Sequence, residues 1–240
     1  MSISLSRVTS DLRVQWFVRS VAALLVGPVQ TLVHWRGPSR LPQRHQRLYV
    51  RPSAIEHRVR SERVSIGRIA DVLGKVLVPG DWGLDRRPLA GRKRRALIKL
   101  AQGEGPVQSG YVAWMEEQAA KPGHNHGCRT LEDILGRAAQ LEALIADLAG
   151  SRRLRERRER EPWTFRERGG IQVAVARDGT VMHVSDGDHR LAFCQTLELD
   201  AIPVSVLAVH PDAVRNGACD RLVETGRDLA QRATGDVGTR

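Results

Sequence analysis

The stretch from Ile171 to Val209, IQVAVARDGTVMHVSDGDHRLAFCQTLELDAIPVSVLAV, constrains the fold more than any other part of the chain. It begins with two apolar runs joined by Asp178-Gly179, a dipeptide that tolerates the positive φ angles of a tight hairpin. HRLAFCQTLELD then has helical spacing, with Leu191, Ala192, Cys194 and Leu197 on its apolar side, and AIPVSVLAV is a β-branched strand. The order is strand, turn, strand, tight corner, helix, strand, which predicts an α+β fold with a small mixed sheet and flanking helices. At the corner five chemically active residues stand side by side: Asp186, Gly187, Asp188, His189 and Arg190.

Around this unit the chain divides by composition. Residues 1–35 contain an amphipathic helix from about Ser10 to Val26. Arg19 and Gly27-Pro28 interrupt its apolar stretch, so it falls short of the about 20 apolar residues a membrane span needs. Packing against the body of the protein is the expected role, and lying on a membrane surface is the alternative. Residues 36–47 have the Pro, Gly and Arg content of a linker. A domain is expected over 48–215, opening with the strand LYVRPSAI, which ends at Pro52. A brief helix with Ile66, Ile69 and Leu73 follows, then a turn at Pro79-Gly80. Residues 84–162 form a helical insertion. In it RPLAGRKRRALIKLAQG is a helix with a basic face. Thr130 caps a second helix through Asp133, with Leu131, Ile134, Leu135, Ala138, Leu141, Leu144 and Ile145 as its apolar side. That helix is expected to run on into SRRLRERRERE until Pro162 stops it. A further helix starts at about Pro211, and 216–240 is a C-terminal tail.

The formal net charge is +11, and residues 36–100 carry 17 Lys+Arg against 5 Asp+Glu. A basic field this concentrated attracts nucleic acid, nucleotides or an anionic surface. RRPLAGRKRRALIKL lacks an aromatic residue for base stacking, so DNA contact there would be to the phosphate backbone. Three cysteines, Cys128, Cys194 and Cys219, without CxxC spacing fit a reducing cytoplasm.

At the corner, a helix starting near Asp188 or His189 leaves its first N–H groups without intrahelical partners, at the positive end of the helix dipole. Gly187 permits close backbone approach, and His189 and Arg190 add side-chain donors, the arginine in a forked geometry suited to phosphate. One of Asp186 and Asp188 caps the helix; the other either holds a metal that accompanies phosphates or orients Arg190. The bland reading is a well-capped turn with an Arg–Asp surface pair.

VSDGDHRLAFCQTLELDAIPVSVL resembles the signature of the ParB and sulfiredoxin superfamily, with Gly187, His189, Arg190, Ala192, Leu197, Ile202, Pro203 and Val204 on the pattern. The hairpin GGIQVAVARDGTVMHV and, more weakly, the strand LYVRPSAI are similar to the family's preceding elements. Strong likeness covers about 45 residues. The resemblance implies a ParB/sulfiredoxin-like domain that binds a nucleoside triphosphate, ATP or CTP with Mg2+, at this corner. Gly187 would admit the phosphates, and His189 and Arg190 would contact them. It also implies an ATP- or CTP-dependent phosphotransferase or a nucleoside triphosphatase. Two departures matter. Asp188 stands where sulfiredoxin carries its reactive cysteine, so reductase chemistry is not expected; His189 stands where partition clamps usually carry arginine. The chain ends soon after the signature, so a downstream helix-turn-helix reader is not expected.

Phosphoryl transfer needs an acid to orient the acceptor and help hold magnesium. Asp81, in the turn VPGDWGLDRR, and Glu104, in QGEGP, are the candidates, against the plainer reading of a turn pinned by Trp82. His124, His126 and Cys128 lack a second ligand pair, so a Gly-rich loop is preferred to a zinc site. His183 and His210 read as ordinary strand-end residues. The alternative function is a DNA-associated ParB-like protein, in which residues 36–100 grip the phosphate backbone and nucleotide acts as a switch.

Overall fold

In the computed structural model the described residues are 47–59, 77–121, 127–155, 170–184 and 186–235. Six strands are present among them: β1 (Arg47–Val50), β2 (His57–Arg58), β3 (Arg87–Pro88), β4 (Ile171–Val175), β5 (Val181–His183) and β6 (Ile202–Val209). The helices are α1 (Arg92–Ala101), α2 (Tyr111–Ala119), α3 (Leu131–Ser151), α4 (Asp188–Thr196), α5 (Pro211–Arg215) and α6 (Ala218–Gly235). The strands form one mixed sheet in the order β1-β6-β4-β5-β2-β3, and the fold class is α+β. β4 pairs antiparallel with β5 and parallel with β6, while β5 pairs parallel with β2.

The hairpin follows from its turn chemistry. Ala176 and Thr180 close a short loop through the Ala176 N–H to Thr180 carbonyl bond at 2.9 Å, and Gly179 takes φ +88° inside it. The Asp178 side chain accepts from the Thr180 amide at 3.0 Å and from Arg86 at 2.6 Å. Partial burial works to raise this carboxyl, yet Arg86 and Thr180 outweigh it and bring it down to about 2.

Both faces of the sheet are covered. Ile171, Val173 and Val175 of β4 and Ile202, Val204 and Val206 of β6 face the main core beneath the helices. Ala174, Met182 and Ala208 face a smaller cluster built on Trp82. A register shift between Val173 and Ala174 pairs Val173 with Val206 and Ala174 with Ala208, which leaves Leu207 as the extra residue. That bulge reverses the phase of β6, so Ala208 reaches the Trp82 side while Val209 returns to the main core. Trp82 is buried and donates its indole N–H to the Val78 carbonyl at 2.9 Å, as expected of a turn pinned by that ring.

Three expectations need correction. The helix capped by Thr130 and Asp133 forms a complete capping box, but it ends at Ser151 instead of running on toward Pro162. Arg152 takes a left-handed φ of 52°, and its guanidinium donates to the Leu197 and Glu198 carbonyls, a tertiary tie that stops the helix. Leu131 and Leu135 are exposed, so the apolar stripe of α3 is carried by Ile134, Ala138, Leu141 and Leu148. The segment 216–240, expected as a tail, contains α6, which packs on β1; there a Cβ on Gly226 would come within 2.7 Å of Leu48 Cδ1. The helix expected over 10–26, the linker up to residue 46 and the brief helix at 66–73 lie outside the described residues. No helix among the described residues is long and apolar enough to cross a membrane.

Candidate functional site

The corner joins β5 to α4, and its backbone is fixed by the hairpin. The Val184 N–H donates to the Gln172 carbonyl at 2.9 Å, and the Gln172 N–H donates to the Asp186 carbonyl at 3.1 Å. His183 reaches the same carbonyl through Nε2 at 3.1 Å. Gly187 then takes φ +90°, and α4 begins. Gly187 lies directly over β4: a Cβ there would stand 2.6 Å from Ile171 Cα and 2.9 Å from the Gly170 carbonyl oxygen. This glycine is therefore required by a contact within the protein, a reason that needs no ligand. The hydrogen-bond ladder of α4 starts with the Leu191 N–H on the Gly187 carbonyl, so the amides of Asp188, His189 and Arg190 have no acceptor within the helix.

Neither Asp186 nor Asp188 caps α4, whose N-cap is Gly187 with no side-chain cap bond, and Asp188 is not free to hold a metal. Its Oδ1 accepts from Arg58 Nη2 at 2.9 Å and its Oδ2 from Lys93 Nζ at 3.0 Å. Burial alone would raise this carboxyl, but the charges of Lys93 and Arg58 outweigh it and hold Asp188 below the usual carboxylate range. Lys93 in turn lies 5.6 Å from the centre of the Trp114 ring. Arg94, the next residue of α1, donates to Gln195 Oε1. Gln195 anchors that contact by donating to the Pro52 and Ile55 carbonyls at 2.7 and 2.8 Å. Burial works to lower the Arg94 guanidinium, Asp188 opposes it and Arg58 adds to it.

Three further features complete the site. His183 is buried, and burial pushes its imidazole below the ordinary value while Asp188 works against the shift. The Tyr111 ring meets His189 edge-on at 6.3 Å and packs 6.0 Å from Trp114, so α2 supports both His189 and Lys93. Arg190 is half-buried and within electrostatic reach of the Cys194 thiol.

The structure thus brings together Gly187, Asp188, His189 and Arg190 with four residues that sequence reading did not select for the site: Arg58, Lys93, Arg94 and His183. No local signal marks Arg58, Lys93 and Arg94, because β2 and α1 are folded onto the corner from far along the chain; His183 stands three residues before Asp186 at the end of β5, where it reads as an ordinary strand-end residue. Asp186 is exposed beside it, with its carbonyl engaged as described. Asp81 and Glu104 lie elsewhere. Asp81 pairs with Arg177 at 2.9 Å, at the opposite end of β4 from Ile171, a separation of about 15–20 Å at roughly 3.3 Å per residue. Glu104 pairs with Lys99 at 3.3 Å beyond the far end of α1, about 15 Å along the helix from Lys93. No group of three or more His, Cys, Asp or Glu among the described residues is arranged to hold a metal. His124 and His126 lie outside the described residues.

Thiol chemistry has no support in this arrangement. Cys128, Cys194 and Cys219 are all buried; burial pushes the Cys194 thiol up to about 12 and the Cys219 thiol up to about 11. Native protein is expected to release no chromophore from a disulfide reagent until denaturant is added; a fast phase of one thiol per chain would contradict this burial.

Comparison with protein-family models, with curated proteins and with solved structures finds no match.

Proposed function

We propose that the corner binds the phosphates of a nucleoside triphosphate, ATP or CTP accompanied by Mg2+, in a domain of ParB/sulfiredoxin type. The protein would then hydrolyse the nucleotide or transfer its phosphoryl group to a small acceptor. The observation that carries this reading is the charge imbalance at the start of α4. Arg58, Lys93 and Arg94 surround one carboxylate, Asp188, at the positive end of the α4 dipole. The succession of β5, corner, α4 and β6 laid beside β4 is compatible with the resemblance, and the cytoplasmic location expected from the cysteines belongs to the same reading.

On this reading the residues divide the work as follows. Arg190 and His189 contact the phosphates, with the Tyr111 ring holding His189 in position. Lys93 and Arg58 supply the balancing charge. Asp186, the exposed carboxylate at the corner, would be the protein ligand to the magnesium that the phosphates bring with them, since magnesium bound to phosphates needs only one or two protein carboxylates. Asp81 and Glu104 are too distant to orient an acceptor and leave the scheme. The DNA-associated alternative is less favoured. Arg86, Arg87, Arg92 and Lys99 of the basic segment are already paired with Asp178, Asp85, Glu117 and Glu104, which leaves less charge for a phosphate backbone.

The test is a thermal-shift panel of nucleotides with magnesium, with phosphate release measured alongside. ATP or CTP should raise the melting temperature, and Arg190→Ala should weaken binding by at least about tenfold, as expected for loss of a charge-assisted bidentate contact. A panel in which every nucleotide leaves the melting curve unmoved removes the reading.

A further inference from the structure

The cradle already holds an anion, and that anion belongs to the chain. Both oxygens of the Asp188 carboxylate are engaged, one by Arg58 and one by Lys93, with Arg94 in the same field. The arrangement is nevertheless incomplete. Arg58 Nε and Arg94 Nη1 are buried donors without a hydrogen-bond partner among the described residues. His183 has a side chain only 2% exposed; its Nε2 meets a carbonyl oxygen and so carries the proton, which leaves the Nδ1 lone pair facing Asp188 Oδ1 at 3.9 Å. Nδ1 has no hydrogen-bond partner either, so two acceptors oppose each other in a buried space. The carboxylate also sits on the first residue of α4, at the positive end of the helix dipole.

We propose that Asp188 is an internal stand-in for the ligand: an entering polyphosphate takes Lys93 and Arg58 from the carboxylate, fills the unused donors of Arg58 and Arg94, and relieves the contact with His183. The inference rests on the polyphosphate reading above and gives it a selectivity rule. A ligand must outcompete a carboxylate held by two cations, so the cradle admits chains of two or three phosphates and rejects a single phosphate. Asp188 is thus a residue that binding works against.

The experiment is isothermal titration of the full chain with phosphate, pyrophosphate and tripolyphosphate, in the wild type and in Asp188→Asn. Wild-type affinity should climb by about tenfold or more with each added phosphate, and the substitution should tighten tripolyphosphate by about tenfold or more and admit a single phosphate. Equal or weaker tripolyphosphate binding by a folded Asp188→Asn protein overturns the inference, because Asp188 would then be a scaffold that holds the cations for the ligand. Should the variant fail to fold, the wild-type series decides: phosphate binding as tightly as tripolyphosphate, or no binding of tripolyphosphate at all, also overturns it. The nucleotide reading fails separately. ATP or CTP binding without the tripolyphosphate effects leaves that reading standing, whereas tripolyphosphate binding with no nucleotide binding removes it and keeps the stand-in.

Discussion

Gly187→Ala is expected to destabilise the fold by roughly 3 kcal/mol or more, lowering the melting temperature by about 6–12 °C for a chain of this size. Two costs add. The φ of +90° disfavours any side chain, which accounts for about 1 kcal/mol or somewhat more. The new methyl would also stand 2.6 Å from Ile171 Cα and 2.9 Å from the Gly170 carbonyl oxygen, and neither is the movable end of a flexible side chain. Ile171 starts β4 and is paired with Val204 of β6, so relief requires shifting the centre of the sheet. Gly110→Ala is the control: Gly110 has φ +78° and nothing within 4 Å of its would-be Cβ, so only the conformational cost applies. Thermal or urea unfolding of the two variants separates the terms. Equal effects would mean that the close approach over Ile171 is absent. Loss of ligand binding in Gly187→Ala would carry no functional message, since the contact within the protein already explains the residue; Arg190 and Asp188 variants carry that message.

What the sequence makes legible is what neighbouring residues decide among themselves. The Asp178-Gly179 turn, the Thr130–Asp133 capping box and the β-branched strand β6 depend on local backbone chemistry, and all three appear as expected. What it hides depends on distant partners. Nothing near Arg152 announces that the Leu197 and Glu198 carbonyls will hold it in a helix-ending conformation. Gly226 reads as a helix weakness, yet it is the place where α6 comes close enough to β1 for a Cβ to lie 3.0 Å from the Tyr49 carbonyl oxygen. The candidate site divides the same way. Gly187 to Arg190 are adjacent and stand out at once, whereas Arg58 and Lys93 reach Asp188 only after β2 and α1 have folded. The basic segment reads as a surface field, but among its described residues Arg58, Arg86, Arg92, Lys93 and Lys99 are each paired with a carboxylate from outside it.

The largest loss away from Gly187 is expected at Gln195, a residue without charge or motif. Its side chain makes three hydrogen bonds at once: the amide nitrogen donates to the Pro52 and Ile55 carbonyls, and the oxygen accepts from Arg94. It therefore fixes the turn after β1, the helix α4 and the basic helix α1 to one another. Removing it strands the Ile55 carbonyl, takes one of two donors from the Pro52 carbonyl, which keeps the Ile55 N–H, and leaves Arg94, whose Nη1 already lacks a partner among the described residues, with a further unsatisfied donor. Each stranded group costs about 1–3 kcal/mol, and the Ile55 carbonyl and the Arg94 donor act as a unit, so Gln195→Met is expected to destabilise by roughly 3 kcal/mol. Methionine nearly preserves volume, which isolates the polar loss; Gln195→Ala adds a cavity and should cost about 1 kcal/mol more. Urea midpoints of the two variants test this. A methionine variant as stable as the wild type would show that the network contributes little, and that the position of Arg94 beside Asp188 is set by helix packing alone. A methionine variant that unfolds early and also binds tripolyphosphate more weakly would show that the posture of Arg94, and with it the charge of the cradle, is held from the C-terminal end of α4 by one uncharged amide.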